Sequence, residues 1–350
     1  MLGREPLHHH ARINLGLVYR DRGAAEAAIA TFDQVIAERP DHPLAHWNRA
    51  LALLLAGDYE RGFPAYEWRW RATAMQPRGF TAPLWDGKPL EGRTILLHAE
   101  QGLGDAIQFA RYAPMVAEQG GRVILEAPAA LVRLFGSLGC IAEIVAQGAS
   151  LPPFDCHAPF MSLPALFGTT LESVPNPVPY LSAPMPTKKA IGNALSGPSG
   201  VRRIGLVWGG NAARQGDRVR SCRAVDLLPL TALPHVRLYS LQKGSPHAEQ
   251  LNDLPGVVDL APLCDDMAGT AAAIAQLDLL VSVDTATAHL AGALGRPVWT
   301  LLAYAADWRY LLHRSDNLWY PTMRRIRQPA PGDWAGVMSQ VRKGIVSSLL

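Results

Sequence analysis

The chain has 350 residues, of which 49% are hydrophobic, and a formal net charge of +3. That length and composition exclude a disordered or fibrous chain and provide for two to three domains with developed cores. The near-balanced charge neither demands nucleic acid nor forbids an anionic small ligand, and no apolar run is long enough to cross a bilayer. No signal peptide precedes the first helix, and Cys140, Cys156, Cys222 and Cys264 are scattered without a metal-type pair. Free thiols in a reducing compartment, and so a soluble cytoplasmic protein, are the expectation.

Residues 1–72 read as all-α tetratricopeptide repeats with a period of about 34 residues. Leu15, Gly16, Tyr19, Gly23, Ala28, Phe32 and Pro40 fit the pattern, and one period later Ala50, Gly57 and Tyr66 stand in for Gly16, Gly23 and Phe32. Two copies are fewer than a free-standing solenoid requires, so the array must pack on something or continue in a longer chain. Trp68-Arg69-Trp70 marks a seam to the next domain. His8, His9 and His10 cannot all point one way on a helix and read as a solvated lead-in rather than a metal site.

Residues 73–190 alternate strands and helices. Thr94 to Glu100 is a strand, Gln101-Gly102-Leu103-Gly104-Asp105 a tight turn into a helix, and RVILEAP the next strand, with further units at Ile141–Val145 and Cys156–Leu166. Ala183 to Gly200, rich in Pro, Gly, Ser and Lys, has the composition of a linker. Residues 191–350 form a second series: RIGLVWGGN, VRLYSLQKG, and a strand Leu279–Val283 followed by Asp284-Thr285-Ala286-Thr287, a helix, Gly295, and a new strand from Pro297. A closing helix spans Asp333 to Leu349. The fold class is α/β, with two doubly wound halves and a cleft between them.

Ligands of such sheets bind at the carboxyl edge, where a helix N-terminus offers free N–H groups and a positive dipole end to phosphate. Asp284-Thr285-Ala286 is that kind of turn, although Asp284 as a helix cap is an alternative. Asp105 aims at the cleft from the other half, or serves as an N-cap. Ile107 occupies the place of the third glycine in a dinucleotide fingerprint, so NAD is disfavoured, and there is no Walker motif and no serine-hydrolase elbow. His157, in a segment with Asp155 and Ser162, could be a general base or a core histidine. In the second half Asn211 closes a Gly-Gly loop, Arg214 to Ser221 forms a basic loop carrying Arg220, and Gln242-Lys243 adds a cation at the same edge. Such cations neutralise diphosphate charge without a metal. Asp265 and Asp266 are too isolated to be a metal site.

The GLGD turn, the VSVDTATAHLAGALG block and DWRYLLHRSDNLWYPTMRRIRQ resemble bacterial tetratricopeptide-repeat proteins fused to a heptosyltransferase-type glycosyltransferase. More distantly the arrangement is similar to repeat-bearing protein O-GlcNAc transferases. The resemblance implies a GT-B fold, two Rossmann-like domains with the first on the acceptor side and the second on the donor side. It implies that Thr285 and Ala286 hold the diphosphate of a nucleotide-sugar donor through backbone N–H groups, with His289 beside them, and that Asp105 (or His157) is the general base. The family pattern has DTG where this chain has Asp284-Thr285-Ala286. Its phosphate-binding lysine has no match, leaving Arg220 or Lys243 to replace it, with Asn211, Ser221 and Gln242 nearby and Gly102 and Gly104 shaping the facing turn.

The function expected is metal-independent sugar transfer from a nucleotide-diphosphate donor to an acceptor hydroxyl, with no cofactor. The repeats point to a polypeptide acceptor. The alternative is a non-catalytic nucleotide-binding and protein-docking module on the same scaffold. A nucleotide-sugar epimerase would use a similar cleft but gains nothing from the repeats.

Overall fold

Helices α1 (His9–Asp21), α2 (Ala25–Glu38), α3 (Pro43–Ala56) and α4 (Tyr59–Ala65) open a computed structural model that describes residues 9–184, 189–213, 216–312, 314 and 316–347. His8 of the histidine lead-in lies outside the described residues. The small residues of the repeat pattern sit where paired helices touch: Gly16 lies against the Phe32 ring and Gly62 against Leu54. Gly57, at φ 91°, ends α3 in the left-handed conformation that glycine adopts without penalty. The second repeat is less regular than the first. Pro64 inside α4 has no N–H to return to the preceding turn, and the chain continues as a tighter turn, Tyr66–Trp68, and a short helical turn, Arg69–Ala72.

That irregular end is the seam. The Arg69 side chain is fully buried; its Nη2 donates to Glu100 Oε1 and to Ser162 Oγ, both at 2.8 Å, and its Nη1 to Glu67 Oε1. Trp68 stacks on His46 with ring centroids 3.8 Å apart. Farther along the same face, Tyr59 and Phe63 meet Trp308 and Trp319, with Phe63 edge-on to Trp308 at 5.6 Å. Edge-to-face aromatic pairs contribute about 0.5–1.5 kcal/mol each beyond the area they bury. The repeats are therefore fixed to residues from both halves of the α/β body.

The first half holds β1 (Thr94–His98), β2 (Arg122–Ala127), β3 (Glu143–Ala146) and β4 (Cys156–Pro159), all parallel in the order β3-β2-β1-β4. The second holds β5 (Arg202–Val207), β6 (Val236–Ser240), β7 (Val258–Asp259), β8 (Leu279–Val283), β9 (Val298–Leu302) and β10 (Met323–Arg327), parallel in the order β10-β9-β8-β5-β6-β7. Counted from its own first strand, the second sheet has the 3-2-1-4-5-6 order of a Rossmann fold, with the switch point between β5 and β8. The helices that matter for the site are α5 (Leu103–Phe109), α6 (Ala129–Phe135), α7 (Met267–Ile274) and α8 (Ala286–Ala293); α9 (Trp334–Ser347) packs back on the second sheet.

One apolar cluster runs without interruption from Leu54 through both halves to Met323. The halves are also pinned by Arg133 to Asp266 at 2.7 Å, and by Arg111, whose Nη1 donates to the Trp319 carbonyl at 2.6 Å. Asp266 also accepts the Gly269 N–H and so caps α7. The segment expected to be a plain linker is partly ordered: Lys189–Leu195 is helical, with Ile191 and Leu195 buried. Residues 185–188 of that segment and residues 348–349 of the closing helix lie outside the described residues. Among the described residues no helix is long and apolar enough to cross a membrane.

Candidate functional site

The carboxyl edges of the two sheets face each other across a cleft of about 790 Å³. Gly102, Gly104 and Asp105 line it from the first half, and the turns after β5, β6 and β8 from the second. The repeats contribute as well: Arg20 and Asp21 at the end of α1 and Leu51 and Leu55 on α3 form part of its wall.

β8 is buried at every residue and pairs with β5 and β9, which brings the turn after it to the centre of the edge. Thr285 is the N-cap residue, with extended backbone, but its hydroxyl lies 3.0 Å from Ser282 Oγ and caps nothing. The N–H groups of Ala288 and His289 both return to the Thr285 carbonyl, at 3.0 and 3.2 Å. Ala286 and Thr287 open the helix with no preceding turn to accept their N–H groups, at the positive end of the dipole and in the cleft wall. Asp284 is not the cap. It accepts the Tyr310 hydroxyl at 2.7 Å and has His289 Nε2 3.7 Å away. Burial pushes the Asp284 carboxyl up, but His289 and Tyr310 outweigh it and hold the group below the usual carboxylate range. His289 is oriented by its Nδ1, 3.1 Å from the Tyr320 hydroxyl.

Opposite stands the GLGD turn. Gly102 is the N-cap of α5, and Asp105, three residues on, accepts the Gly102 N–H at Oδ2 (2.9 Å), the return half of a capping box. Its Oδ1 accepts Arg309 Nη2 at 2.5 Å. Gly104 packs directly on the start of α8, so its lack of a side chain serves the contact between halves.

Gly209 and Gly210 follow β5 beneath the His247 ring and the Arg220 guanidinium, where a Cβ at either position would collide with those side chains. Arg220 Nε donates to Asp217 Oδ1 at 3.1 Å, and His247 Nε2 lies 2.9 Å from the other Asp217 oxygen. Asn211, Arg220, Gln242 and Lys243 all line the cleft. Gln242 is there chiefly as a clamp: its Oε1 accepts the Trp208 and Gly209 N–H groups at 3.0 and 2.9 Å, and its Nε2 donates to the Gly209 and Lys243 carbonyls. Lys243 donates to the Cys264 carbonyl. Arg214 and Gln215 of the basic loop lie outside the described residues.

Two expected residues are not in the cleft. Ser221 is buried behind it, where its Oγ accepts the Gly210 N–H at 3.0 Å. His157 sits inside β4 rather than at its end, because β4 keeps pairing with β1 through Pro159. Its Nδ1 lies 3.2 Å from His98 Nε2, under Phe80 and Phe154, and burial lowers its pKa. Asp155 accepts the Thr94 N–H, and Ser162 belongs to the Arg69 seam. The turn Asp307–Tyr310, which opens the DWRY block quoted for the resemblance but has no role there, also enters the site: Arg309 reaches Asp105 and Tyr310 reaches Asp284. The signal for it was its place just beyond β9, on the same carboxyl edge as the two turns that were read.

Two Rossmann-like lobes, a cleft between their strand ends and an uncapped helix start in that cleft define a GT-B type scaffold with an N-terminal repeat array. Comparison with known proteins agrees. Residues 2–43 and 13–74 match the tetratricopeptide repeat model, and residues 235–310 match the model of glycosyltransferase family 9 (heptosyltransferase). The chain is 27% identical over 356 residues to Protein FlbA of Caulobacter vibrioides, covering 92% of this chain and 58% of that protein. In fold it is similar to a glycosyl transferase family 9 structure from Veillonella parvula DSM 2008 (10% identity, TM-score 0.53, 76% of this chain and 99% of that one). It is likewise similar to the E. coli ADP-heptose lps heptosyltransferase II (14% identity, TM-score 0.52, 73% and 98%). The chain thus carries two matches to the tetratricopeptide repeat model ahead of a body whose fold is similar to that of heptosyltransferases, with residues 235–310 matching the family 9 model.

Proposed function

We propose that this chain is a cytoplasmic, metal-independent glycosyltransferase that moves a sugar from a nucleotide-diphosphate donor to an acceptor hydroxyl, on a polypeptide held by the repeats. One observation carries the reading: the amides of Ala286 and Thr287, with no acceptor among the described residues, and the Asp105 carboxylate line one cleft from opposite lobes. The match of residues 235–310 to glycosyltransferase family 9 supports the donor class. The repeat residues in the cleft wall support an acceptor delivered along the array.

On this reading the donor diphosphate accepts the Ala286 and Thr287 N–H groups and lies in the field of the α8 dipole. The acceptor oxygen attacks the anomeric carbon, its proton passes to Asp105, and the bond to the diphosphate breaks with its electron pair leaving on phosphate oxygen. Arg220 and Lys243 offset the charge that develops there. A general base of this kind contributes about 10²–10⁴ in rate. Asp105→Ala should therefore reduce nucleotide release from a panel of UDP-, GDP-, ADP- and CMP-sugars by about a hundredfold or more, while calorimetric donor affinity stays within a few-fold. Turnover at the wild-type rate would remove Asp105 from the role of base.

The second reading, a binding module without turnover, draws on the engagement of both Asp105 oxygens and on Ala286 in place of the pattern's glycine. Tight nucleotide binding by the wild-type chain with no release from any donor supports it.

A further inference from the structure

The turn Asp307–Tyr310 is built to hold one guanidinium. Arg309 is buried to 8% exposure, and each of its three nitrogens is bonded. Nε donates to Gln108 Oε1 at 2.9 Å, Nη1 to Asp307 Oδ1 at 2.8 Å and Nη2 to Asp105 Oδ1 at 2.5 Å. The guanidinium also lies 4.4 Å from the centroid of the Trp308 ring, a cation–π contact. Gln108 and Asp105 are on α5 in one lobe, whereas Arg309 and Asp307 belong to the other.

The backbone is fixed to match. Leu311, immediately after the turn, has φ 48°, a left-handed conformation that costs a non-glycine residue on the order of 1–3 kcal/mol and persists only where its surroundings impose it. Arg325 donates to the Tyr310 carbonyl and Arg327 Nη2 to the Leu311 carbonyl at 2.6 Å, and Tyr310 is anchored through Asp284. A strained backbone held by three side chains brings Arg309 to Asp105.

We propose that Arg309 is a positioning residue for sugar transfer, holding the Asp105 carboxylate in the one rotamer that presents it to the acceptor hydroxyl. This rests on the reading of Asp105 as the base. The charged and titratable groups facing Asp105 are Arg309 and Asp307 from the turn, Tyr66 from the repeats and His289 beside Gly104 on α8. Without Arg309 the Gly102 N–H would be the one remaining hydrogen bond to the carboxylate among the described residues, and Asp105 would be free to swing about it. Arg309 already faces two carboxylates, so its charge is balanced before a donor arrives; the diphosphate is left to the α8 amides, Arg220 and Lys243. Its effect is therefore on the chemical step and not on donor binding.

The test measures nucleotide release from the UDP-, GDP-, ADP- and CMP-sugar panel by wild type, R309Q, R309K, D105N and the D105N/R309Q double variant, with a thermal melt of each. R309Q should lower kcat by about tenfold or more with donor KM and calorimetric Kd changed less than about threefold. In the D105N background the same change should have less than about a twofold further effect, because two residues acting as one unit are not additive. R309K keeps the charge but not the planar fork, and should fall between wild type and R309Q; if R309Q does not fold, R309K carries the kcat-against-KM comparison alone. Effects of R309Q and D105N that multiply, or a raised donor KM with kcat intact, overturn the proposal. D105N turning over at the wild-type rate, or no nucleotide released by wild type, instead overturns the base or the enzyme itself, and the positioning role with it.

Discussion

Gly104 and His289 meet across the two lobes: a Cβ built on Gly104 would stand 3.0 Å from His289 Cδ2 and 3.5 Å from the Ala286 Cα. That contact places α5, which carries Asp105, against the start of α8. Gly104→Val cannot be accommodated without pushing α8 away, and overpacking of this sort costs about 1–3 kcal/mol. The expected result is a lower melting temperature together with donor affinity weakened by about tenfold, read by calorimetry. Unchanged affinity would show that the contact does not shape the donor site.

Ala286→Pro isolates the backbone amide. Proline is favoured at the first helical position, where its missing N–H leaves no helix bond unmade, and Thr285 before it is already extended at φ −143°. Stability should hold or rise slightly. Donor binding should fall by about tenfold or more, since hydrogen bonds to charged groups contribute about 1.5–3 kcal/mol. Calorimetry and a thermal melt on the same sample separate the two effects, and full donor affinity would show that the Ala286 amide does not touch the diphosphate.

Arg69→Ala opens the seam. Burial pushes Glu100 up to about 7 even with Arg69 beside it, so loss of the guanidinium leaves a carboxyl with no adequate partner. Breaking a buried pair from one side costs about 3–5 kcal/mol, to be read from urea unfolding. Adding Glu100→Gln should restore part of that loss, because a neutral amide needs no counter-charge.

Acid sensitivity should trace to His98. Burial first, then the neighbouring His157 and Arg78, depress it from 6.5 to about 3, so the folded protein holds it neutral where the unfolded chain binds a proton. Its contribution to stability is complete above about pH 6.5 and is lost as pH falls toward 3, by at most about 1.4 kcal/mol per pH unit. His98→Leu has nothing to titrate. Between about pH 7.5 and about pH 5 it should lose roughly 2 kcal/mol less than wild type in paired urea melts.

The parts legible in the sequence were those whose signal is local. β8 runs from Leu279 to Val283 as its composition indicates, and the turn after it opens a helix, because a strand buried on both faces and a run of small residues leave unambiguous patterns. The GLGD turn and both repeats were readable for the same reason. Arg309 was not, since its partner Asp105 lies 204 residues away and a buried guanidinium spells the same as a solvated one. Nothing local decides between a general base and a core histidine at His157: the register that pairs it with Leu96 and continues to Pro159 is set by a strand about 60 residues away in sequence. In the linker, Pro, Gly and Ser masked Ile191 and Leu195, four apart, which bury one face of a short helix.

The aromatic seam has a practical consequence for anyone wishing to redirect this protein by exchanging its helical array. Tyr59, Phe63 and Tyr66 are as much a part of the α/β body's interior as Trp308 and Trp319 are. A graft cut at the sequence boundary would strip the floor from under the Arg309 turn. Nor does a cut between α2 and α3 free the array, since Ile13, Phe32 and Val35 share one buried cluster with Ala45 and Ala52 of α3, and Arg20 of α1 reaches both Asn48 and the cleft.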